Sequence, residues 1–213
     1  MKKLIKILGV FLVACLFFVG PASATPILDF AVIAPTPGSI SYAGGILPLI
    51  GTAIEVDSVV GLGTPANSGV VLPITGGLLN FRTGSSTGPW TWGGGPGSLI
   101  TITGSIIGVD PTLLWGSFGS ASVYYFSGAF HITGAAFTDE KYLNLLNFYG
   151  LPNVTYAGNF NISFNAPFAG VGSAFQSTQL FSGDVANTPI PEPATLMLLG
   201  LGLVGLGLVS RKL

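Results

Sequence analysis

Between Tyr156 and Asn165 large apolar and small polar side chains alternate: Phe160, Ile162 and Phe164 on one side, Asn159, Asn161, Ser163 and Asn165 on the other. A period of two belongs to a strand with one buried face and one wet face. Such a strand must pair with neighbours and cover its apolar face, so the stretch commits the chain around it to a sheet.

The same pattern recurs upstream. Thr52 to Val60 reads as a strand with Ile54 and Val56 on one face and Ala53, Glu55 and Asp57 on the other. Gly76-Gly77 precedes a strand from Leu78 to Thr83, and Ser98 to Ile107 sets Ile100 and Ile102 against Thr101 and Thr103. Val123 to Thr133 reads as one longer strand with Tyr124, Phe126, Phe130 and Ile132 on a common face, interrupted by a bulge at Gly128. Ala174 to Val185 supplies the last strand or two. One segment changes period. Thr138 is placed to cap a helix, Asp139 and Glu140 to occupy its first turn, Tyr142, Leu145, Leu146 and Tyr149 to share a face, and Gly150 to end it. The expected fold is all-β: a single β-sandwich-like domain with one short helix at about 139–149.

Both ends of the chain are apolar. Lys2, Lys3 and Lys6 precede the run Ile7 to Val19, and Pro21-Ala22-Ser23-Ala24 places Ala22 and Ala24 at the two small positions of a cleavage site. This is the form of a secretory signal peptide, removed by signal peptidase after residue 24. Leu12-Val13-Ala14-Cys15 also has the shape of a lipoprotein signal, but Leu16-Phe17-Phe18-Val19 would then start the mature chain, and Cys15 reads better as a small apolar residue of the signal core. At the other end, Ala194 to Val209 is an uncharged run closed by Arg211 and Lys212. Its 16 residues span about 24 Å as a helix against roughly 30 Å of hydrocarbon, a short transmembrane segment. Lysines before the first run and Arg211-Lys212 after the last keep both charged ends inside, so the middle crosses to the far side of the inner membrane. The expected organisation is residues 1–24 signal peptide, 25–188 exported β-rich domain, 189–213 sorting and anchor segment.

The exported part is poor in charge. From 25 to 190 it holds seven acids and only Arg82 and Lys141 as bases, a net of −5. This argues against nucleic acid and against anionic lipid surfaces, both of which need clustered cations. Without the signal peptide no cysteine remains, which leaves no disulfide and no thiolate metal site.

Pro191-Glu192-Pro193 is a donor-poor, extended hinge just outside the last apolar run. Together with Ala194-Thr195-Leu196, the Gly- and Leu-rich helix and the closing Arg211-Lys212, it resembles the PEP-CTERM sorting domain of exported proteins in Gram-negative bacteria. The resemblance covers about the last tenth of the chain. It implies a membrane-embedded exosortase as processing partner, acting near the Pro-Glu-Pro, and a final place at the cell surface or outside the cell. A structural or adhesive role beside exopolysaccharide follows from the same resemblance.

The catalytic inventory of the domain is thin. His131 is the only histidine, and no nucleophile-elbow motif accompanies it, so it reads as a sheet-surface histidine. Glu55 and Asp57 share a strand face without calcium-loop spacing, and Asp139-Glu140 is accounted for by the helix start, so no metal and no cofactor is expected. The strongest binding motif is Pro89-Trp90-Thr91-Trp92-Gly93-Gly94-Gly95-Pro96. Trp90 and Trp92 either stack on sugar faces, which makes the domain a surface carbohydrate-binding module, or close the end of the core. The expectation is a protein without enzymatic activity.

Overall fold

The computed structural model describes residues 25–106 and 111–190. Among them are fourteen strands: β1 (Ile27–Val32), β2 (Ser39–Tyr42), β3 (Leu49–Glu55), β4 (Ser58–Leu62), β5 (Val71–Pro73), β6 (Thr75–Arg82), β7 (Ser86–Gly88), β8 (Thr91–Gly93), β9 (Leu99–Ser105), β10 (Thr112–Phe126), β11 (Ala129–Lys141), β12 (Tyr156–Asn165), β13 (Phe175–Gln176) and β14 (Gln179–Pro189). Among the described residues a single helix, α1 (Leu143–Tyr149), follows β11. The all-β class expected from the alternation is what the chain adopts.

The strands form one sheet in the order β13-β2-β3-β6-β9-β10-β11-β12-β14-β1-β4-β5, with the β7–β8 hairpin attached to β10 through β8. Neighbours along this path run antiparallel, as in the pairs β11–β12, β12–β14 and β1–β14. The sheet curls until distant parts of its inner face touch. Phe81 of β6 meets Phe160 of β12 at a ring distance of 5.0 Å, although three strands separate β6 from β12 in the sheet. The Thr36–Leu180 bridge and the Ser177 N–H donated to Ile40 O at 2.8 Å draw the two flanks together. The apolar core therefore lies inside one folded-over sheet, not between two separate ones.

β12 follows its alternation: Tyr156, Gly158, Phe160, Ile162 and Phe164 face inward, while Asn159 and Asn161 are exposed. Three expected elements differ. The Thr52 to Val60 strand is broken into β3 and β4, because the backbone N–H groups of Glu55, Val56 and Asp57 turn away to Pro37 O, Gly77 O and Ala31 O. The stretch from Val123 to Thr133 is a hairpin, with Ser127 (φ 52°) and Gly128 (φ 88°) at its tip. Two central residues with positive φ give the primed turn whose twist suits a two-residue hairpin, so Gly128 marks a reversal and no bulge. Helix α1 starts at Leu143, not near 139. Thr138, Asp139 and Glu140 are strand residues, paired with Ser117, Gly116 and Trp115 of β10. Tyr142 holds the N-cap position without a side-chain cap bond. The helix face and stop are as expected: Leu145, Leu146 and Tyr149 are buried, and Gly150 is left-handed at φ 67°.

The register fixes the ends of the domain. Tyr156 of β12 faces Pro189 and Asn165 faces Gln179, while Leu28 of β1 faces Asn187. The start of β1, the end of β14 and the end of β11 thus lie together. The β10–β11 hairpin tip, Phe168 and β13 lie at the opposite end. The 11 residues of β14 separate the two by about 35 Å.

Candidate functional site

Four places were expected to carry function. The sorting residues Pro191, Glu192, Pro193, Arg211 and Lys212 lie outside the described residues, as do Ala22, Ala24, Cys15 and the two apolar segments. The chain leading to the sorting segment is anchored up to its last described residue. Pro189 still pairs with Tyr156, and the Ile190 N–H is donated to Thr155 O at 3.0 Å.

Trp90 and Trp92 form no aromatic platform. They are 2 % and 1 % exposed. Trp90 sits at the β7–β8 turn with φ 53°, donates its indole N–H to Ser173 O at 2.8 Å, and packs on Phe130 and Phe175. Trp92 donates to Leu47 O at 3.1 Å and meets Tyr42 edge-on at 5.0 Å. Both indole N–H groups are satisfied by backbone carbonyls, the arrangement a buried indole requires. The of-two-readings choice left open by the motif falls to core closure. The exposed indole is Trp115, 40 % accessible, beside Glu140 and Thr138 over a shallow hollow of about 280 Å³.

His131 shares a hydrogen bond of 2.8 Å with Ser163 Oγ and stacks on Tyr124 at 4.9 Å, on the outer face of the sheet. Asp57 accepts the Ile33 N–H at 2.8 Å, and so is tied to backbone. On the outer face of β1, burial and then the neighbouring Asp184 carboxylate hold Asp29 above the usual carboxylate range. Among the described residues no three His, Cys, Asp or Glu side chains gather in a group able to hold a metal ion.

The most unusual chemistry is inside the core. Asp139 and Lys141, expected near a helix start, point inward from β11 and are each 2 % exposed. Lys141 Nζ donates to Asp139 Oδ1 and, at 3.1 Å, to Asn187 Oδ1 of β14. It also lies 4.7 Å from the centre of the Tyr156 ring. Asn187 is fully buried, and its amide N–H groups are donated to Val185 O at 3.0 Å and Leu28 O at 3.4 Å. Asp139 Oδ2 is buried with no hydrogen-bond partner. Burial pushes the Lys141 ammonium well below the ordinary lysine range, and raises the Tyr156 phenol to about 12. The Tyr156 hydroxyl is occupied elsewhere, donating to Pro152 O at 2.8 Å. Reading Asp139-Glu140 as a helix start hid this cluster; continuing the alternation of Phe137 through Asp139 to Lys141 finds it.

The described chain ends at Ile190, just after the last strand, and the sorting segment begins there. Residues 189–212 match the PEP-CTERM protein-sorting motif, so the chain carries a PEP-CTERM sorting segment. The motif implies an exported precursor, held at the membrane by its tail and processed by an exosortase. No curated protein and no solved structure matches the chain.

Proposed function

We propose that the exported domain is a structural or adhesive module of the cell surface or of an exopolysaccharide matrix, and that it acts by binding and packing without turnover. The sorting motif at 189–212 carries this reading, because it assigns the chain to export and tail processing. The fold supports it. The first strand and the tail leave from one end, so the other end, about 35 Å away, points from the tether. The outer face of β12 offers Asn159 and Asn161 at exposed positions, uncharged donors and acceptors suited to sugar hydroxyls. A net charge of −5 over 25–190 keeps the surface from collecting polyanions by charge alone. The carbohydrate module built on Trp90 and Trp92 loses its surface, since both indoles are inside.

The test is the intact mass and location of the native protein with and without its exosortase. With the enzyme, the domain is expected in the surface or matrix fraction, lacking the signal peptide and the residues after Pro191-Glu192-Pro193. Without it, the tail is expected to stay on and hold the protein in the inner membrane. Recovery of the chain from the cytosol with both apolar ends attached would overturn the reading.

A further inference from the structure

A lysine, an aspartate and an asparagine share one dry pocket, and their order along the sheet is informative. Lys141 and Asp139 belong to β11 and Asn187 to β14, with β12 between them. The lysine reaches diagonally over the Tyr156 ring, and Gly158, opposite both Phe137 and Asn187, keeps room beside the amide: a Cβ there would collide with the Phe137 ring and stand 2.6 Å from Asn187 Oδ1. Nothing in this pocket is solvated, and a buried ammonium and carboxylate relieve their cost by proton transfer to the neutral amine and acid. The position of Nζ, 3.1 Å from the amide oxygen, sets the amide carbon no more than about 4.3 Å away, one C=O bond further.

We propose that Lys141 and Asn187 join in an intramolecular isopeptide bond, with Asp139 carrying the proton, so that β11 is covalently tied to β14 across β12. The Lys141 amine attacks Asn187 Cγ, and the Nζ–Cγ bond forms. Asp139 donates its proton to the amide as the tetrahedral centre develops and takes one from the attacking nitrogen. The Cγ–Nδ2 bond breaks and Nδ2 leaves as ammonia. Amine and primary amide become secondary amide and ammonia, so atoms balance, nothing is oxidised or reduced, and no cofactor enters. Burial supplies the neutral nucleophile, and fixed neighbours supply the proximity. The bond closes two residues before Pro189, the last residue of β14, and would hold the last strand against pull from a tether. Its formation needs only the folded domain, so its failure and the failure of the export reading are separate results.

Protease digestion of the denatured full-length protein, mapped by tandem mass spectrometry, decides the matter. A branched peptide holding both Lys141 and Asn187 is expected, lighter than its two parts by one ammonia, about 17 Da. Asp139→Asn, nearly isosteric, is expected to yield the two peptides separately at full mass. Separate, unmodified Lys141 and Asn187 peptides from the folded wild type would overturn the bond. So would a loss of water confined to the peptide that contains both Asp139 and Lys141. A branched peptide surviving in Asp139→Asn would overturn the role of Asp139, and if that variant does not fold, the wild-type map decides alone.

Discussion

The inner face of β11, β12 and β14 is built in two different ways along its length. Away from the tail it is aromatic. Phe130 stacks on Phe164 at 5.3 Å, and Phe175 and Trp90 close around it at 5.3 and 5.2 Å. Beside the tail the same three strands present Asp139, Lys141, Tyr156 and Asn187, all buried. The aromatic end needs no explanation beyond area and ring geometry. The polar end does, because buried ions are rarely a source of stability and well-packed apolar groups serve as well or better. A chain able to fill one end with phenylalanine and yet placing a lysine and two acceptors at the other is using those groups for their chemistry. The isopeptide proposal gives that use, at the point where the domain meets its delivery segment.

Lys141→Ala breaks the comparison most severely. It leaves the Asp139 carboxyl buried without its hydrogen-bond partner, which costs about 1–3 kcal/mol. It also removes a link that closes 46 positions of chain, worth about 4 kcal/mol on a loop-entropy estimate. The two terms share one site and do not simply add, but the urea midpoint is expected to fall further than for any single truncation at the aromatic end. Phe130→Ala is the matching change there. Phe130 is fully buried among Trp90, Phe164 and Phe175, and its truncation is expected to cost about 3–5 kcal/mol in the same urea titration. Midpoints that rank in the opposite order would mean that the polar end is only an ion pair.

What the sequence made legible follows from how parity survives local events. β12 was readable because its alternation runs unbroken from Tyr156 to Asn165. The β10–β11 hairpin was not, since a two-residue turn at Ser127-Gly128 keeps the even spacing of Tyr124, Phe126 and Phe130. Across the turn the faces invert: Phe126 is 68 % exposed, while Phe130 is fully buried. The start of α1 was misplaced for a related reason. Thr138-Asp139-Glu140 satisfies the cap and dipole preferences of a helix, and pairing with both β10 and β12 overrode them. The stop at Gly150 was legible because a left-handed C-terminus has few other solutions. For Trp90 and Trp92, spacing shows that two indoles sit close in the chain, and only the carbonyls of Ser173 and Leu47, distant in sequence, decide that they lie inside.

The smallest expected effect sharpens the comparison from outside the core. Asp29 also lies at the tail end, opposite Ala186, but on the outer face of β1. Its Oδ1 is buried without a hydrogen-bond partner, and burial first, then Asp184, raise its pKa above 3.8. The folded state therefore holds this proton more tightly than the unfolded chain does. Stability must fall as pH rises from the unfolded value of 3.8 through the higher folded one, and the penalty is complete above the folded value. Asp29→Asn removes the charge and the penalty together. At pH 7 its thermal midpoint is expected slightly above that of the wild type, with the gap closing as the pH is lowered toward 3.8. A variant less stable at pH 7 would mean that the Asp29 carboxylate is held by a favourable contact, and that the outer face of this end, like its inner face, uses charge on purpose.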